Sequence, residues 1–366
     1  MRPLIVFGTR PNFVKVAPIY RVMSARADCD PILVHTGQHF DASMSDDVIK
    51  ALDLPQADVR LEVGIGTQAW QIATIMARLE AVYESTKPDC TVVVGDVSST
   101  LAAALVSDTL GVPVAHIEAG LRSFNWAMPE ERNRVLTDRM SRWLFAPSED
   151  AVENLRAERI APGSIHMVGN VMIDSLDWVL PRLDVDDICR RYGVAGKAFG
   201  VVTLHRASNV DDPAVLARLG EALVAVSAEL PLLFAVHPRT QRHLRLSGAK
   251  FGTGITMLPP VNYADFVGLM SAADLVLTDS GGIQEEAVVL GVPCLTLREE
   301  TERPSTLDGG RNEVVGTEPA RITAAARSRL AARATASRLT AGAFRPPLWD
   351  GHAAERITAI LTGVPA

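Results

Sequence analysis

TVVVGDVSST at residues 91–100 and LVLTDSGGIQEE at residues 275–286 have the same plan. Each joins an apolar, β-type run to an acidic residue, then small residues, then a helical pattern. In a parallel sheet, such strand ends open toward one crevice, and ligands bind there. Two copies this far apart in one chain indicate two nucleotide-binding-type halves.

The bulk composition limits the class of protein. With 366 residues, 48% of them hydrophobic, the chain is long enough for two domains rather than one. A formal net charge of −7 gives no broad basic field, so nucleic acid is not an expected partner. The apolar run Leu4 to Phe7 near the start is too short for a signal peptide or a membrane span. The four dispersed cysteines fit a reducing cytoplasm.

Short apolar runs alternate with helix-length segments along the whole chain, which indicates α/β structure with parallel sheets covered on both faces. The predicted strands are Leu4 to Phe7, Pro31 to His35, Thr91 to Val94, Val112 to His116, Trp143 to Ala146, Phe199 to Leu204, Leu232 to Val236, Ile255 to Leu258, Leu275 to Leu277 and Pro293 to Leu297. The segment Asp174 to Tyr192 separates two βα series. We therefore predict Rossmann-like domains at residues 1–175 and 176–349, with a C-terminal helix at 350–366 packing back on the first.

The DSGG segment is the strongest candidate for phosphate binding. Gly281 and Gly282 follow a strand and open a helix, whose free N–H groups and positive dipole end attract a phosphate. Glu286, about one turn further on, is placed to reach a ribose diol. A helix start with favourable first-turn charges explains the same residues, and the motif alone leaves both interpretations open.

Charged and titratable residues stand at several other strand ends. Arg10 and Lys15 follow the first strand, where a guanidinium suits bidentate phosphate binding. Asp96 and Glu118 follow two later strands, and Glu130 lies in a charged segment after Pro129. If these carboxylates converge, repulsion and burial provide an acid and a base at neutral pH. Taken singly, each also fits a helix cap or a salt bridge.

His205 ends the first strand of the second half, where a titratable group would serve a ligand. The other histidines have no metal-ligand spacing, and we expect no metal. The Asp211-Asp212-Pro213 run is explained as a helix cap followed by proline in the first turn.

With these residues in view, the chain resembles the non-hydrolysing UDP-N-acetylglucosamine 2-epimerases along nearly its whole length. The matching segments are GTRPNFVKVAP (8–18), TGQHFD (36–41), VVGDVSSTLAAALV (93–106), HIEAGLRSF (116–124), MPEERNRVLTD (128–138), GNVMIDSL (169–176), TLHRASNVDDP (203–213), VHPRT (236–240) and LTDSGGIQEEAVVLGVPCLTLREETERP (277–304). Nine ordered segments at compatible spacing are a specific signature. Asn12, Gln68, Asn125, Arg132 and Arg311 depart from the family pattern and bear on sugar specificity.

The resemblance implies a GT-B fold and the interconversion of UDP-GlcNAc and UDP-ManNAc without a metal or other cofactor. Its implied route is elimination of UDP to 2-acetamidoglucal, followed by re-addition. It also implies a homodimer. The implied catalytic residues are Asp96, Glu118, Glu130 and His205. The implied substrate-binding residues are Arg10, Lys15, Arg122, His237, Ser280, Gly281, Gly282, Glu286 and Arg303, and Gln38 and His39 match the site of a second, activating UDP-GlcNAc.

Two alternatives remain from the sequence. A GT-B enzyme that hydrolyses or transfers the sugar would release free sugar or a glycosylated acceptor, and it would leave the carboxylate set without an obvious purpose. A non-catalytic UDP-sugar binding protein would bind the nucleotide without turnover, although it would need only the phosphate-binding residues.

Overall fold

The computed structural model describes residues 1–38, 48–247, 252–335 and 344–363. The chain divides into two compact units. Unit 1 comprises Met1–Val179 together with Pro347–Ala366, and unit 2 comprises Leu180–Pro346.

Unit 1 is built on one sheet of seven parallel strands in the order β3-β2-β1-β4-β5-β6-β7. Its elements are β1 (Pro3–Phe7), α1 (Arg10–Ser24), β2 (Ile32–His35), β3 (Val59–Arg60), α2 (Gln68–Thr86), β4 (Cys90–Val94), α3 (Ser98–Thr109), β5 (Val114–Ile117), α4 (Pro129–Met140), β6 (Trp143–Ala146), α5 (Glu149–Ala157), β7 (Ile165–Met167) and α6 (Val171–Val179).

Unit 2 repeats the same plan with six parallel strands in the order β10-β9-β8-β11-β12-β13. Its elements are α7 (Val185–Arg191), β8 (Gly200–Thr203), α8 (Ala207–Val210), α9 (Pro213–Ser227), β9 (Leu232–Ala235), α10 (Pro238–Ser247), β10 (Ile255–Leu258), α11 (Tyr263–Ala272), β11 (Leu275–Thr278), α12 (Gly281–Leu290), β12 (Cys294–Thr296), β13 (Asn312–Val314) and α13 (Pro319–Thr335). The last helix of the chain, α14 (Ala353–Thr362), belongs to unit 1.

The strand order matters for function because it reverses direction between β1 and β4, and again between β8 and β11. Such switch points leave a crevice at the carboxyl ends of the strands, where ligands of doubly wound sheets bind. The central strands carry apolar side chains on both faces and are fully buried, as parallel strands between two helix layers must be.

Local sequence signals set the ends of several helices. Asp212 caps α9 by accepting hydrogen bonds from the N–H groups of Ala214 and Val215, and Pro213 occupies the first turn. The predicted cap is therefore confirmed. Helix α12 ends at Gly291, whose φ of 73° lies in the left-handed region that glycine adopts without strain.

The C-terminal segment is anchored in unit 1, where α14 packs against α1 and α6. The carboxylate of Asp174 accepts hydrogen bonds from the N–H groups of Ala353 and Ala354 in the first turn of α14. The buried indole of Trp349 donates to the carbonyl of Pro147 at 2.8 Å. These polar contacts satisfy orphan donors at the helix start and tie the end of the chain to its first half.

The prediction of an α/β chain with two Rossmann-like parallel sheets of the GT-B class is confirmed. All ten predicted strands are present, with ends that differ by at most two residues. Three strands were missed, namely β3, β7 and β13, and each has only two or three residues.

No described helix is long and apolar enough to cross a membrane.

Candidate active site

The carboxyl ends of β1, β4 and β5 bring together the first set of predicted residues. Asn12, at the third position of α1, accepts hydrogen bonds from the N–H and hydroxyl of Thr9 at 3.1 and 2.9 Å. Its amide donates to the carbonyl of Val94, at the end of β4. Asn12 therefore holds the turn before Arg10 against the neighbouring strand end.

Lys15 and Glu118 form a buried ion pair at this switch point. Glu118 has a φ of 67°, a left-handed conformation that costs a non-glycine residue about 1 kcal/mol or more. A Cβ on Gly95 would lie 3.3 Å from both Glu118 Oε2 and Lys15 Nζ, so glycine allows the pair to approach the backbone. The strain and the close approach are typical of a functional site.

Asp96 follows Gly95 and pairs with Arg134 of α4. Its backbone carbonyl accepts a hydrogen bond from Asn133 at 2.8 Å. The carboxylate remains 29% exposed, whereas Arg134 is buried. Helix α4 thus fixes the position of Asp96 from two consecutive residues.

The two glutamates that open α4 differ sharply in their surroundings. Glu131 is buried, and its carboxylate accepts hydrogen bonds from Ser123 N and Oγ, Phe124 N and Arg134 at 2.9 to 3.0 Å. Glu130 is partly exposed, and its carboxylate forms no hydrogen bond or ion pair with a described residue. Glu131 is therefore committed to bracing the 123–124 loop, and Glu130 is available to a ligand.

Arg122, predicted to bind substrate, lies inside the protein with its side chain 1% exposed. It donates to Asp138 and Glu158, each at 2.6 Å, and to the carbonyl of Leu121. Burial alone would raise the pKa of Asp138, but His116 and Arg122 together lower it. This buried network supports the strand ends from behind, because His116 also contacts the carbonyl of Gly95 at 2.8 Å.

Unit 2 provides the predicted phosphate-binding residues at the start of α12. Ser280 is the N-cap residue, Gly281 and Gly282 form the first turn, and no described side chain caps that turn. The first N–H groups of a helix have no partner within it and attract anions. A Cβ on Gly281 would lie 3.1 Å from Glu302 Oε1. Glycine at this position therefore leaves room for the Glu302 carboxylate beside the helix start, whose first N–H groups have no side-chain cap from the described residues.

His205, at the end of β8, is held by a buried aspartate that the site prediction omitted. Asp279 accepts hydrogen bonds from the N–H groups of His205 and Arg206, and its Oδ1 lies 3.0 Å from His205 Nδ1. Burial would raise the pKa of Asp279, but its bonds with His205 and Arg206 lower it. Because a carboxylate only accepts, Nδ1 carries the proton in this contact and Nε2 is left for a ligand. The ring of His237 lies 5.8 Å away.

A cluster of arginines adjoins the start of α12. Glu302 pairs with Arg206 and Arg298, each at 2.6 Å, and Arg303 Nε lies 2.7 Å from Glu285. Burial would raise the pKa of Glu302, but the surrounding arginines hold it well below its usual range. Among them, Arg303 was predicted from the sequence, whereas Glu302 and its partners were not. For Glu302 and Arg298 the only sequence signal was a run of charges after β12.

Glu286 lies in the second turn of α12 and is fully buried. Tyr263, the first residue of α11, donates its hydroxyl to Glu286 Oε1 at 2.8 Å. Burial and, to a smaller extent, the neighbouring Glu285 raise the pKa of Glu286 to about 7, and the bond from Tyr263 opposes the rise.

The activator residues predicted from the sequence are described only in part. Gln38 is buried, and its side-chain oxygen accepts hydrogen bonds from the N–H and hydroxyl of Ser99. Gln71 donates to its backbone carbonyl at 3.1 Å. His39 lies outside the described residues, and so does the side chain of Arg10.

Comparison with known proteins places the chain among relatives of one kind. A family described as "UDP-N-acetylglucosamine 2-epimerase" matches residues 21–362. The UDP-N-acetylglucosamine 2-epimerase of Methanocaldococcus jannaschii is 38% identical over 371 residues, covering 99% of each chain. The UDP-2,3-diacetamido-2,3-dideoxy-D-glucuronate 2-epimerase of Pseudomonas aeruginosa is 39% identical over 334 residues, covering 90% of this chain and 92% of the relative.

Solved structures agree with these matches. The M. jannaschii UDP-GlcNAc 2-epimerase in complex with UDP-GlcNAc and UDP has a TM-score of 0.90 at 37% identity, covering 99% of this chain and 100% of the other. The Neisseria meningitidis UDP-GlcNAc 2-epimerase bound to UDP-GlcNAc has a TM-score of 0.90 at 31% identity, with the same coverage.

Proposed function

Because the chain belongs to the UDP-N-acetylglucosamine 2-epimerase family, we propose that it interconverts UDP-GlcNAc and its C2 epimer, UDP-ManNAc. The proposed reaction eliminates UDP to form 2-acetamidoglucal and then adds UDP back. The observation that carries the proposal is the carboxylate set of unit 1, in which Asp96 and Glu118 contact cations and Glu130 remains available. Inverting a carbon centre through proton exchange needs groups that remove and deliver protons on its two faces.

Loss of UDP must lead the reaction because the C2 hydrogen is not adjacent to a carbonyl and is hardly acidic. As the C1–O bond opens, its electron pair leaves with UDP, and positive charge develops on the sugar ring. That charge acidifies C2–H, so that a carboxylate takes the proton while the C–H electron pair forms the C1=C2 double bond. In the return step, a proton adds to the opposite face of C2 and a phosphate oxygen re-forms the C1–O bond.

The departing diphosphate needs positive partners. Within unit 2, we assign this role to the Ser280–Gly282 helix start and His205. An uncapped helix start offers N–H groups to phosphate oxygens, and His205 offers Nε2 while Asp279 orients its ring. Lys15 and Arg134 then hold the carboxylates that act on the sugar, and Arg122 supports them from within the protein.

Proton exchange with solvent tests the proposal. The protein is incubated with UDP-GlcNAc in deuterium oxide, and NMR follows C2 of both epimers. We expect deuterium at C2 of UDP-ManNAc and of recovered UDP-GlcNAc. Product that keeps its original hydrogen would exclude the elimination route. Free N-acetylmannosamine would instead indicate a hydrolysing enzyme, and binding without turnover would indicate a nucleotide-sugar binding protein.

The sugar has one specific alternative. The P. aeruginosa relative is as similar to this chain as the archaeal one, and its name gives a diacetamido-glucuronate as the sugar. The same reaction on that sugar is therefore the second candidate. Comparing kcat/KM for the two UDP-sugars decides between them.

The proposal also includes a homodimer, a cytoplasmic location, no cofactor, and activation by a second UDP-GlcNAc near Gln38 and His39. Sedimentation tests the dimer. The dependence of the initial rate on UDP-GlcNAc concentration tests the activation, because an activating second molecule gives a sigmoidal curve.

A further inference from the structure

Two buried polar side chains of unit 2 take no part in the proton transfers proposed above. Glu286 and Tyr263 are 3% and 7% exposed, and the tyrosine hydroxyl donates to Glu286 Oε1 at 2.8 Å. They come from different helices, α12 and α11, that pack against each other. A buried carboxylate without full hydrogen bonding destabilises the folded state, so we expect this pair to have a functional role.

The Glu286 carboxylate is only partly satisfied. An ionised carboxylate accepts about four hydrogen bonds, and this one accepts a single bond, from Tyr263, among the described residues. Burial accordingly raises its pKa to about 7. The unused capacity lies on Oε2, and it fits a ligand that offers hydroxyl donors.

The family resemblance assigns these hydroxyls to the ribose diol, and the position of Glu286 on α12 fits that assignment. The helix begins at Gly281, so Glu286 lies about 8 Å further along the axis. Helical side chains lean toward the N-terminus, and Glu286 therefore leans toward the helix start. A nucleotide with its diphosphate at that start presents its ribose diol to the same helix.

We propose that Tyr263 is a positioning residue that holds the Glu286 carboxylate for the ribose diol, so that the pair selects ribonucleotides over 2′-deoxyribonucleotides. The inference rests on the proposed function, because it requires a UDP ligand at the start of α12. A tyrosine suits this role since its ring is rigid and its hydroxyl occupies one oxygen only. Glu286 Oε2 is then left, in a defined direction, for the ligand.

The pair also makes nucleotide binding depend on pH. The titratable groups that act on Glu286 are Tyr263 and Glu285, and Glu285 is itself paired with Arg303. On the adjoining strand β12, burial raises the pKa of Cys294 to about 12, so this thiol stays neutral. Diol donors favour the ionised carboxylate, so affinity for ribose is full above a pH of about 7 and falls below it. Removing the Tyr263 hydroxyl removes a hydrogen bond that lowers the pKa of Glu286. The carboxylate then becomes protonated at a higher pH, and the affinity for ribose begins to fall at that higher pH.

Calorimetric titration with UDP and with 2′-deoxy-UDP, over a range from about pH 6 to about pH 9, tests the inference. The ratio of the two dissociation constants isolates the ribose contact, because the titrations of the phosphate and of His205 affect both ligands alike. For the wild type we expect a ratio of about tenfold or more at the alkaline end, shrinking at the acid end. For Tyr263→Phe we expect a smaller ratio of the two dissociation constants. As the pH is lowered, this ratio should begin to fall at a higher pH than it does in the wild type.

Two further variants complete the design. Glu286→Gln should give a small ratio that does not change with pH. Tyr83→Phe is the matched control, since it removes a buried tyrosine hydroxyl that contacts Thr91 in unit 1, and it should keep the wild-type ratio. Thermal unfolding identifies any variant that fails to fold, and Glu286→Gln then tests the contact without Tyr263→Phe.

The outcomes separate this inference from the proposed function. A wild type that binds both nucleotides equally would overturn the role of the pair and leave the epimerase proposal standing. A Tyr263→Phe variant with the wild-type ratio at every pH would do the same. A wild type that binds neither nucleotide would overturn both.

Discussion

The two adjacent glutamates at the start of α4 should respond in opposite ways to the same mutation. Glu131→Gln removes a buried charge that accepts four hydrogen bonds of 2.9 to 3.0 Å, one of them from the buried Arg134. Breaking a buried ion pair from one side costs about 3–5 kcal/mol when the remaining charge loses its partner, and Arg134 would keep only Asp96 of its two carboxylate partners. The amide also turns an N–H₂ group toward donors. We therefore expect Glu131→Gln to lose about 3 kcal/mol or more of unfolding free energy.

Glu130→Gln should instead leave the unfolding free energy nearly unchanged and lower the rate of turnover. The Glu130 carboxylate contacts no described partner, so its unfolding free energy should change by about 0.5 kcal/mol or less. If Glu130 transfers a proton to or from C2, the rate should fall by about 10²–10⁴-fold. Affinity for UDP should remain close to the wild-type value, because the proposed diphosphate contacts lie elsewhere.

Urea unfolding measures the unfolding free energy of each variant. NMR measures the rate of UDP-GlcNAc turnover, and calorimetry measures the affinity for UDP. Each variant is the control for the other, since they differ by one position and carry the same chemical change. The reasoning is refuted if Glu130→Gln keeps its rate within about threefold. It is also refuted if Glu131→Gln is as stable as the wild type.

Two further predictions concern buried aspartates. Asp279→Asn removes the acceptor that orients His205, so kcat should fall by about 10²-fold or more while the fold is retained; an unchanged kcat in steady-state kinetics would contradict this role. Asp174 has its pKa raised by burial from 3.8 to about 6, although the N–H groups of Ala353 and Ala354 oppose the rise. Folding therefore favours the protonated acid, and the wild type should lose stability as the pH rises from about 4 to about 6. Asp174→Asn should not show this loss in urea unfolding, and a mutant-to-wild-type difference that is the same at every pH would contradict the prediction.

Much of the fold was predictable because the central strands are continuous, mostly apolar runs of four or five residues between helix-length segments. The strands β3, β7 and β13 were not, since two or three residues hold too little pattern, and they form because a neighbouring strand offers hydrogen bonds. Helix caps such as Asp212 were predictable because the cap and its donors lie within three residues of each other.

The same distinction between local patterns and distant contacts applies to the residues of the candidate site. The sequence identified Asp96, Glu118 and the Ser280–Gly282 helix start from their places at strand ends, and the family resemblance that these segments carry is confirmed. It did not identify the partners Asp279 and Tyr263. Asp279 is 74 residues from His205, and no periodic pattern links positions that far apart.

The sequence by itself determined the parallel α/β architecture, the family and the set of side chains at the strand ends, because these depend on patterns within a few residues. Only the tertiary structure decided which of the two adjacent glutamates is bound into the loop and which is available. It also decided that Arg122 is an internal support and that one oxygen of Glu286 has no hydrogen bond from the part of the chain that the structure describes. Those properties depend on burial and on hydrogen-bond partners that folding brings from distant parts of the chain.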